Sequence, residues 1–288
     1  MLEWVALLSI LALAEALARC SPLRGCASLA PYRPPFCFYA RPAPVSYQSL
    51  TPAMTKRRFD PAVLEMMDRP QTVSAELERD LERIRQLNRW FGSYRLVLYF
   101  VREWLQPGAR CRIVDLGTGS GDVPRLIVDF ARSIGAHVEI DALDRQPATL
   151  EIARGLSAGY PEIHFREADI RYFESTEPYD LALNTMTLHH FSQSDAIEVL
   201  RKGRELSRKF VLVSDLRRGF LLQAGVYLLT TFIFREPMTR FDARLSAERA
   251  FSFAEMKEIA RRSGWGDFGH KSFRCARQAI WLEKNVNE

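Results

Sequence analysis

Apolar residues along this chain recur with two different periods, and the change of period divides it. Between Ala75 and Leu105 the spacing is helical. Leu77, Leu81, Ile84 and Leu87 recur at three or four, and Trp90, Tyr94, Leu98 and Val101 continue the stripe. Gly92 falls inside it and predicts a break between two helices. After Gln106-Pro107-Gly108, short apolar runs alternate with amphipathic ones. Strands are predicted at Arg112–Asp115, Val138–Asp144, Ile163–Glu167, Asp180–Asn184 and Lys209–Asp215. Helices are predicted at Val123–Ile134, Pro147–Ala158, Ser194–Leu206 and Phe253–Arg262, with Gly266–Phe273 and Gln278–Leu282 as closing antiparallel strands. This alternation predicts a parallel sheet with helices on both faces. Ligands of such sheets sit at the carboxyl ends of the strands, where strand order reverses.

Candidate chemistry gathers at those strand ends. In RIVDLGTGSGDVPRLI, Arg112–Ile127, an apolar run ends in Asp115, and Gly117, Gly119 and Gly121 follow at alternate places around Thr118. Glycine reaches positive φ at low cost and has no Cβ to hold a ligand away. The following helix start offers unpaired N–H groups. Asp144 ends the second strand, in ALDRQP, and Asp169 follows the third, in READIRYF. A carboxylate at the end of strand 2 can accept hydrogen bonds from both hydroxyls of a ribose, and one after strand 3 suits an adenine amine. The three strands describe a cleft for an adenosine whose tail lies over the glycine loop.

These segments resemble the class I S-adenosylmethionine-dependent methyltransferases. IVDLGTGSGD is similar to their first motif, ALDRQ to their second, READI to their third, and YDLALNTMTLHHF to the strand-4 motif of the small-molecule branch. The segments RRG, Arg217–Gly219, and EPMTRFDARLSAERAFSFAE, Glu236–Glu255, resemble a bacterial subgroup related to quinone methyltransferases and to those found beside type III polyketide synthases. The resemblance implies an α/β, Rossmann-like class I methyltransferase fold. This has a seven-stranded, mostly parallel sheet, helices on both faces and an N-terminal helical cap. It implies S-adenosylmethionine as cofactor. The glycines and Thr118 would then lie along its methionine part, Asp115 near its ammonium and Asp144 on the ribose. Arg145 would sit beside the adenine, Asp169 and the Ile170 backbone at the adenine amine, and Asn184 and Thr185 beneath the sulfonium. His189 and His190 follow strand 4 at the mouth of the cleft, and either could serve as base for a phenol or enol acceptor. Packing and capping of the turn is the alternative for both.

Several absences narrow the acceptor. NTMT replaces the Asn-Pro-Pro-aromatic run of amino-methyltransferases, no Pro-Cys nucleophile is present, and no metal-ligand cluster stands out. A small, lipophilic aromatic, quinone-like or polyketide-derived acceptor, methylated on O or C, is the expectation. Two rivals remain. A nicotinamide-dependent oxidoreductase would call for G-x-G-x-x-G rather than the alternate glycines here. A non-catalytic binding protein could keep the same fold.

Composition adjusts this picture at the edges. The chain has 288 residues, 47% hydrophobic and 26% charged, with net charge +5, which suits a globular protein and not a disordered one. Basic residues are interspersed with acids, so no nucleic-acid partner is expected. Five cysteines without a C-x-x-C pair argue against zinc and against a disulfide scaffold. Residues 1–53 read as an N-terminal extension, acid-poor after Glu15 and rich in arginine and proline. A secretory signal ending near Ala16-Leu17-Ala18, an organelle transit peptide and a start at Met54 are the competing readings. Residues 54–108 are expected to form the helical cap, and 109–288 the methyltransferase domain with an apolar insertion at 220–250. In that insertion Phe220–Phe234, FLLQAGVYLLTTFIF, falls short of the ~20 apolar residues of a membrane span. A buried lid, a dimer contact and a peripheral membrane or lipophilic-substrate surface are its three readings, and the polar run Thr239–Arg249 reads as a salt-bridged loop or a closure over the acceptor. The expected protein is a cytoplasmic, optionally membrane-associated monomer or homodimer.

Overall fold

A computed structural model describes residues 56–284, so the readings of residues 1–53 lie outside the described residues. Seven strands form one sheet in the order β3-β2-β1-β4-β5-β7-β6. They are β1 (Arg110–Leu116), β2 (His137–Asp144), β3 (Ile163–Glu167), β4 (Tyr179–Thr185), β5 (Ser207–Leu216), β6 (Gly269–Phe273) and β7 (Arg277–Glu283). The first five pair in parallel, and β7 pairs antiparallel with both β5 and β6. Strand order reverses between β1 and β4, which opens a crevice at their carboxyl ends.

Successive side chains of the central strands enter opposite apolar layers, as a sheet covered on both faces requires. Ile113, Leu181 and Leu212 pack with α2 (Ser93–Trp104) and α3 (Asp122–Ser133) through Val97, Phe100 and Ile127. Val114, Ala182 and Val213 pack on the other face with α5 (Gln193–Leu206) and α8 (Phe253–Arg262) through Leu200, Met256 and Ile259. The α8 start carries a reciprocal capping box between Ser252 and Glu255. α1 (Ala75–Trp90) is capped by Ser74, whose Oγ accepts from the Leu77 N–H, and it packs through Leu77 and Leu81 on α4 (Pro147–Leu156). Gly92, at φ 82°, turns the chain between α1 and α2, where the sequence placed its break.

The 220–250 segment departs from expectation. It forms two helices, α6 (Phe220–Phe232) and α7 (Pro237–Arg249), so the polar run Thr239–Arg249 is helical and not a loop. Its polar side chains are turned inward: Thr239, Asp242 and Arg249 are buried. Thr239 Oγ1 donates to Asp80 Oδ1 of α1 at 2.6 Å. The α6 helix is not simply buried either. Leu222 and Leu229 face inward, while Phe220, Leu221, Tyr227, Leu228 and Phe232 stand exposed along one face.

Asp80 meets Thr239 through one oxygen only, and its second carboxylate oxygen has no partner. Burial pushes its carboxyl up to about 6, with Glu65 adding to the effect. A raised carboxyl pKa means that the folded protein holds more protons than the unfolded chain between pH 4 and 6, so stability falls as pH rises through that window. Asp80→Asn should remove this slope. We expect the variant to match the parent at pH 4 and to exceed it by about 2 kcal/mol at pH 8 in urea titrations.

Candidate active site

The site begins with the bend after β1. Gly117, Gly119 and Gly121 all take positive φ, at 87°, 54° and 73°. The Gly117 and Thr118 N–H groups donate to the Leu143 carbonyl at 2.9 and 2.7 Å, and the Gly119 N–H donates to Asp144 Oδ2 at 2.8 Å. The bend is therefore tied to the end of β2, and Asp144 is held by the loop it was expected to accompany. Its other oxygen accepts the Gln146 N–H at 3.0 Å, an Asx turn leading into α4. The three glycines answer different demands. A Cβ on Gly117 would lie 2.5 Å from Thr187 Cγ2, and one on Gly121 would lie 2.9 Å from the Phe165 ring. A Cβ on Gly119 would enter open space.

Around this bend lies a set of buried polar atoms without partners. They are Asp115 Oδ1, Thr118 Oγ1, Asn184 Oδ1, Thr185 Oγ1 and Ser214 Oγ. Buried polar groups are ordinarily hydrogen-bonded, and leaving one unpaired costs about 1–3 kcal/mol. Burial pushes the Asp115 carboxyl up to about 7, against the neighbouring Thr118 hydroxyl, which lowers it, and with the charges of Asp122 and Asp144 adding to the rise. Asn184 spends its amide on the Leu116 carbonyl at 2.7 Å, which locks β4 to the end of β1 and leaves its oxygen free. Between Thr185 and Thr187 the chain passes through Met186 at φ 56°, an unusual conformation for a residue other than glycine. From α2, the Tyr94 hydroxyl donates to Asp122 Oδ2 at 2.7 Å, at the start of α3.

The structure treats the remaining expected residues unevenly. Arg145 is exposed beside Asp144, and Ile170 is buried just beyond β3. Asp169 receives a fork from Arg171, with Nε to Oδ1 at 3.0 Å and Nη2 to Oδ2 at 2.6 Å, and this pair holds its carboxyl below the usual carboxylate range.

His189 and His190, on a single 3₁₀ turn after β4, are each paired with an acid. His189 Nδ1 lies 2.7 Å from Asp215 Oδ1, and its backbone N–H donates to Asp215 Oδ2 at 2.8 Å. His190 Nδ1 lies 2.7 Å from Asp68 Oδ2. Both Nε2 atoms face Glu65, at 4.0 and 3.9 Å. Burial works to lower the His190 pKa, but Glu65 and Asp68 outweigh it and carry it up to about 10. At neutral pH His190 is thus an imidazolium and not a ready base. No metal-ligand cluster was expected, yet the fold brings Glu65, His189 and His190 together.

Glu65, Asp68 and Asp215 were not singled out from the sequence. Asp215 had a signal, since it ends β5 much as Asp144 ends β2. Glu65 and Asp68 lie on a strap preceding α1, and only the fold brings them here. The strap is stitched down by side chains. Asp242 accepts the Met66 and Met67 N–H groups at 2.6 and 3.0 Å. Ser246 Oγ donates to Glu65 Oε1 at 2.8 Å. Arg57 Nη2 donates to the Phe191 carbonyl at 2.6 Å. Gln146 Nε2 donates to the Asp68 carbonyl, linking the strap to the loop after β2.

Comparison with known proteins agrees with this geometry. Residues 113–209 match the family described as a methyltransferase domain. A curated relative, trans-aconitate 2-methyltransferase of Streptomyces avermitilis, is 36% identical over 85 residues, which is 28% of this chain and 30% of the relative. The match thus spans under a third of that protein. Among solved structures, the plantazolicin methyltransferase BpumL in complex with a pentazolic desmethylPZN analog and SAH superposes with TM-score 0.54 at 13% identity, covering 74% of this chain and 92% of that one. The S-adenosylmethionine-dependent methyltransferase SibL gives 0.53 at 19%, covering 74% and 60%. Human N-acetylserotonin methyltransferase in complex with SAM gives 0.52 at 18%, covering 71% and 55%. At these identities the structures speak for the fold. With the domain match, they show a methyltransferase domain over residues 113–209, on the fold that these S-adenosylmethionine-dependent methyltransferases share.

The close approach of Gly117 to Thr187 can be probed directly. Gly117→Ala should lower stability by at least about 2 kcal/mol, combining unfavourable φ with overlap on Thr187. Gly119→Ala, with the same backbone penalty but open space, should cost about 1 kcal/mol. Denaturant midpoints of the two variants measure the difference.

Proposed function

We propose that the protein transfers a methyl group from S-adenosylmethionine to a small lipophilic acceptor of aromatic, quinone-like or polyketide-derived kind. The observation that carries this reading is the set of unpaired polar atoms around the glycine bend, above all Asp115 Oδ1. A buried carboxyl with a raised pKa and a neutral hydroxyl, that of Thr118, beside it suits an ammonium group, which would ionise it and donate to it. Asp144 would accept from ribose hydroxyls with its remaining lone pairs, beside Arg145 and, further out, Asp169 and the Ile170 backbone. The open face of Gly119 leaves room for the methionine chain, and Asn184 and Thr185 offer oxygens toward the reacting centre. When bound, the cofactor supplies a sulfonium methyl already activated for in-line displacement. The chain's own contribution is then alignment, exclusion of water and removal of the acceptor's proton. The His189–Asp215 pair is suited to the last of these, because the carboxylate stabilises the imidazolium that forms.

Two features support a lipophilic acceptor. Leu216, Leu222 and Ala247, with Met186 and Val226 against them, make an apolar cluster at the carboxyl ends of β4 and β5. The bulky face of α6 lies beside a groove whose lining includes Arg235, Arg240 and Arg244 against a single acid, Glu248, with Phe241 among them. Exposed apolar side chains next to arginines suit the surface of an anionic bilayer, from which such an acceptor could be drawn. No helix among the described residues is long and apolar enough to cross a membrane.

Isothermal titration calorimetry tests the cofactor reading. Affinity for S-adenosylmethionine should rise between pH 5.5 and 7 as Asp115 ionises, and Asp115→Asn should abolish that rise. Asp144→Ala should weaken binding at least tenfold, about 1.4 kcal/mol. Unchanged affinity in both variants would overturn it. Labelled cofactor incubated with a lipid extract should place label in a small molecule, and label only in protein or RNA would defeat the acceptor class. Tyr227→Ser combined with Phe232→Ser should halve co-sedimentation with phosphatidylglycerol vesicles if α6 meets the bilayer.

A further inference from the structure

We propose that Glu65, His189 and His190 form a binding site for one divalent transition-metal ion, of the zinc or manganese kind. The claim rests on the cluster's geometry and stands independently of the methyl-transfer reading. One ligand atom from each residue lies within 4.8 Å of the other two. The Nε2-to-Glu65 separations of 4.0 and 3.9 Å are too long for hydrogen bonds. Two ligands about 2.1 Å from a shared ion stand roughly 3.0–3.5 Å apart at tetrahedral or octahedral angles. The two separations end on different oxygens of Glu65, and one set of ligand atoms spans up to 4.8 Å, so closure asks a side-chain shift of up to about an ångström.

The supports around the three ligands are those a metal site uses. Each histidine turns Nδ1 to an aspartate, Asp215 or Asp68, which fixes the ring and points Nε2 inward, and an ion binding there would displace the Nε2 proton of His190 into solvent. Ser246 orients Glu65 through one oxygen. Glu65 and His189 are each 2% exposed, so water does not screen the carboxylate from the imidazole. Three carboxylates, Glu65, Asp68 and Asp215, surround two imidazoles. This excess of negative charge favours a cation. Two imidazoles and a carboxylate suit first-row divalent metals better than magnesium or calcium, which prefer oxygen. With three protein ligands, a further position is left for water or for an acceptor oxygen held as its anion, and an ion there would take over the role that the metal-free site gives to His189 as base. An ion there would also fasten the strap to the turn after β4.

The test uses the untagged full chain, stripped with chelator and titrated separately with Zn²⁺ and Mn²⁺. We expect one tightly bound ion per chain by elemental analysis and a melting temperature that rises with metal concentration. Glu65→Gln keeps the side-chain shape and its acceptor for Ser246, and it should weaken affinity at least tenfold. Asp215→Asn leaves all three ligands in place and should weaken it by a similar factor through loss of ring orientation. If Glu65→Gln fails to fold, His190→Asn replaces it. No site tighter than 100 µM for either metal, or equal affinity in parent and variants, overturns the proposal. Failure of S-adenosylmethionine binding, measured separately, would bear on the proposed function and not on this site.

Discussion

The rest of the structure depends on how the chain leaves β1. Three consecutive backbone N–H groups, of Gly117, Thr118 and Gly119, are given to the end of β2. This bond pattern forces positive φ at the glycines and brings Thr187 against a position that admits no side chain. It also leaves Asp115 sealed below the bend with an unsatisfied oxygen. The sheet supplies the order of strands, but the bend decides that the crevice between β1 and β4 is lined by backbone and short polar side chains rather than filled.

Local pattern carries most of the fold. The bounds of β3 at Ile163–Glu167 and of α8 at Phe253–Arg262 coincide with the sequence reading, because each is a clean apolar period closed by a turn or a capping serine. The α7 helix escapes that logic. Its buried positions include the polar Thr239, Asp242 and Arg249 beside Met238 and Ala247, and a search for an apolar stripe sees a polar segment and returns a loop. Those residues turn inward because they serve the backbone of the strap and Asp80, which are partners far away in sequence.

The candidate site divides in the same way. Residues at strand ends, from Asp115 to Thr185, are legible because the strand register places them. The His189–His190 dipeptide is visible for the same reason, but what it faces is not. Glu65 and Asp68 come from a segment with no secondary-structure signal beyond a single 3₁₀ turn, Met66–Asp68. Their arrival beside the histidines is a tertiary event, and it sets both imidazoles among carboxylates.

The strap has a consequence for how the protein breathes. Between Lys56 and Gln71 it buries little apolar surface, with Val63 and Leu64 exposed and Met67 only packed against the edge of a small cluster. What fixes it is a row of polar bonds to α7 and to the 3₁₀ turn. Segments held that way open at a lower free energy than the sheet beneath them. Amide protons of this stretch should therefore exchange through a local detachment that leaves the strands intact, and each such detachment lays Glu65 and both imidazoles open to solvent.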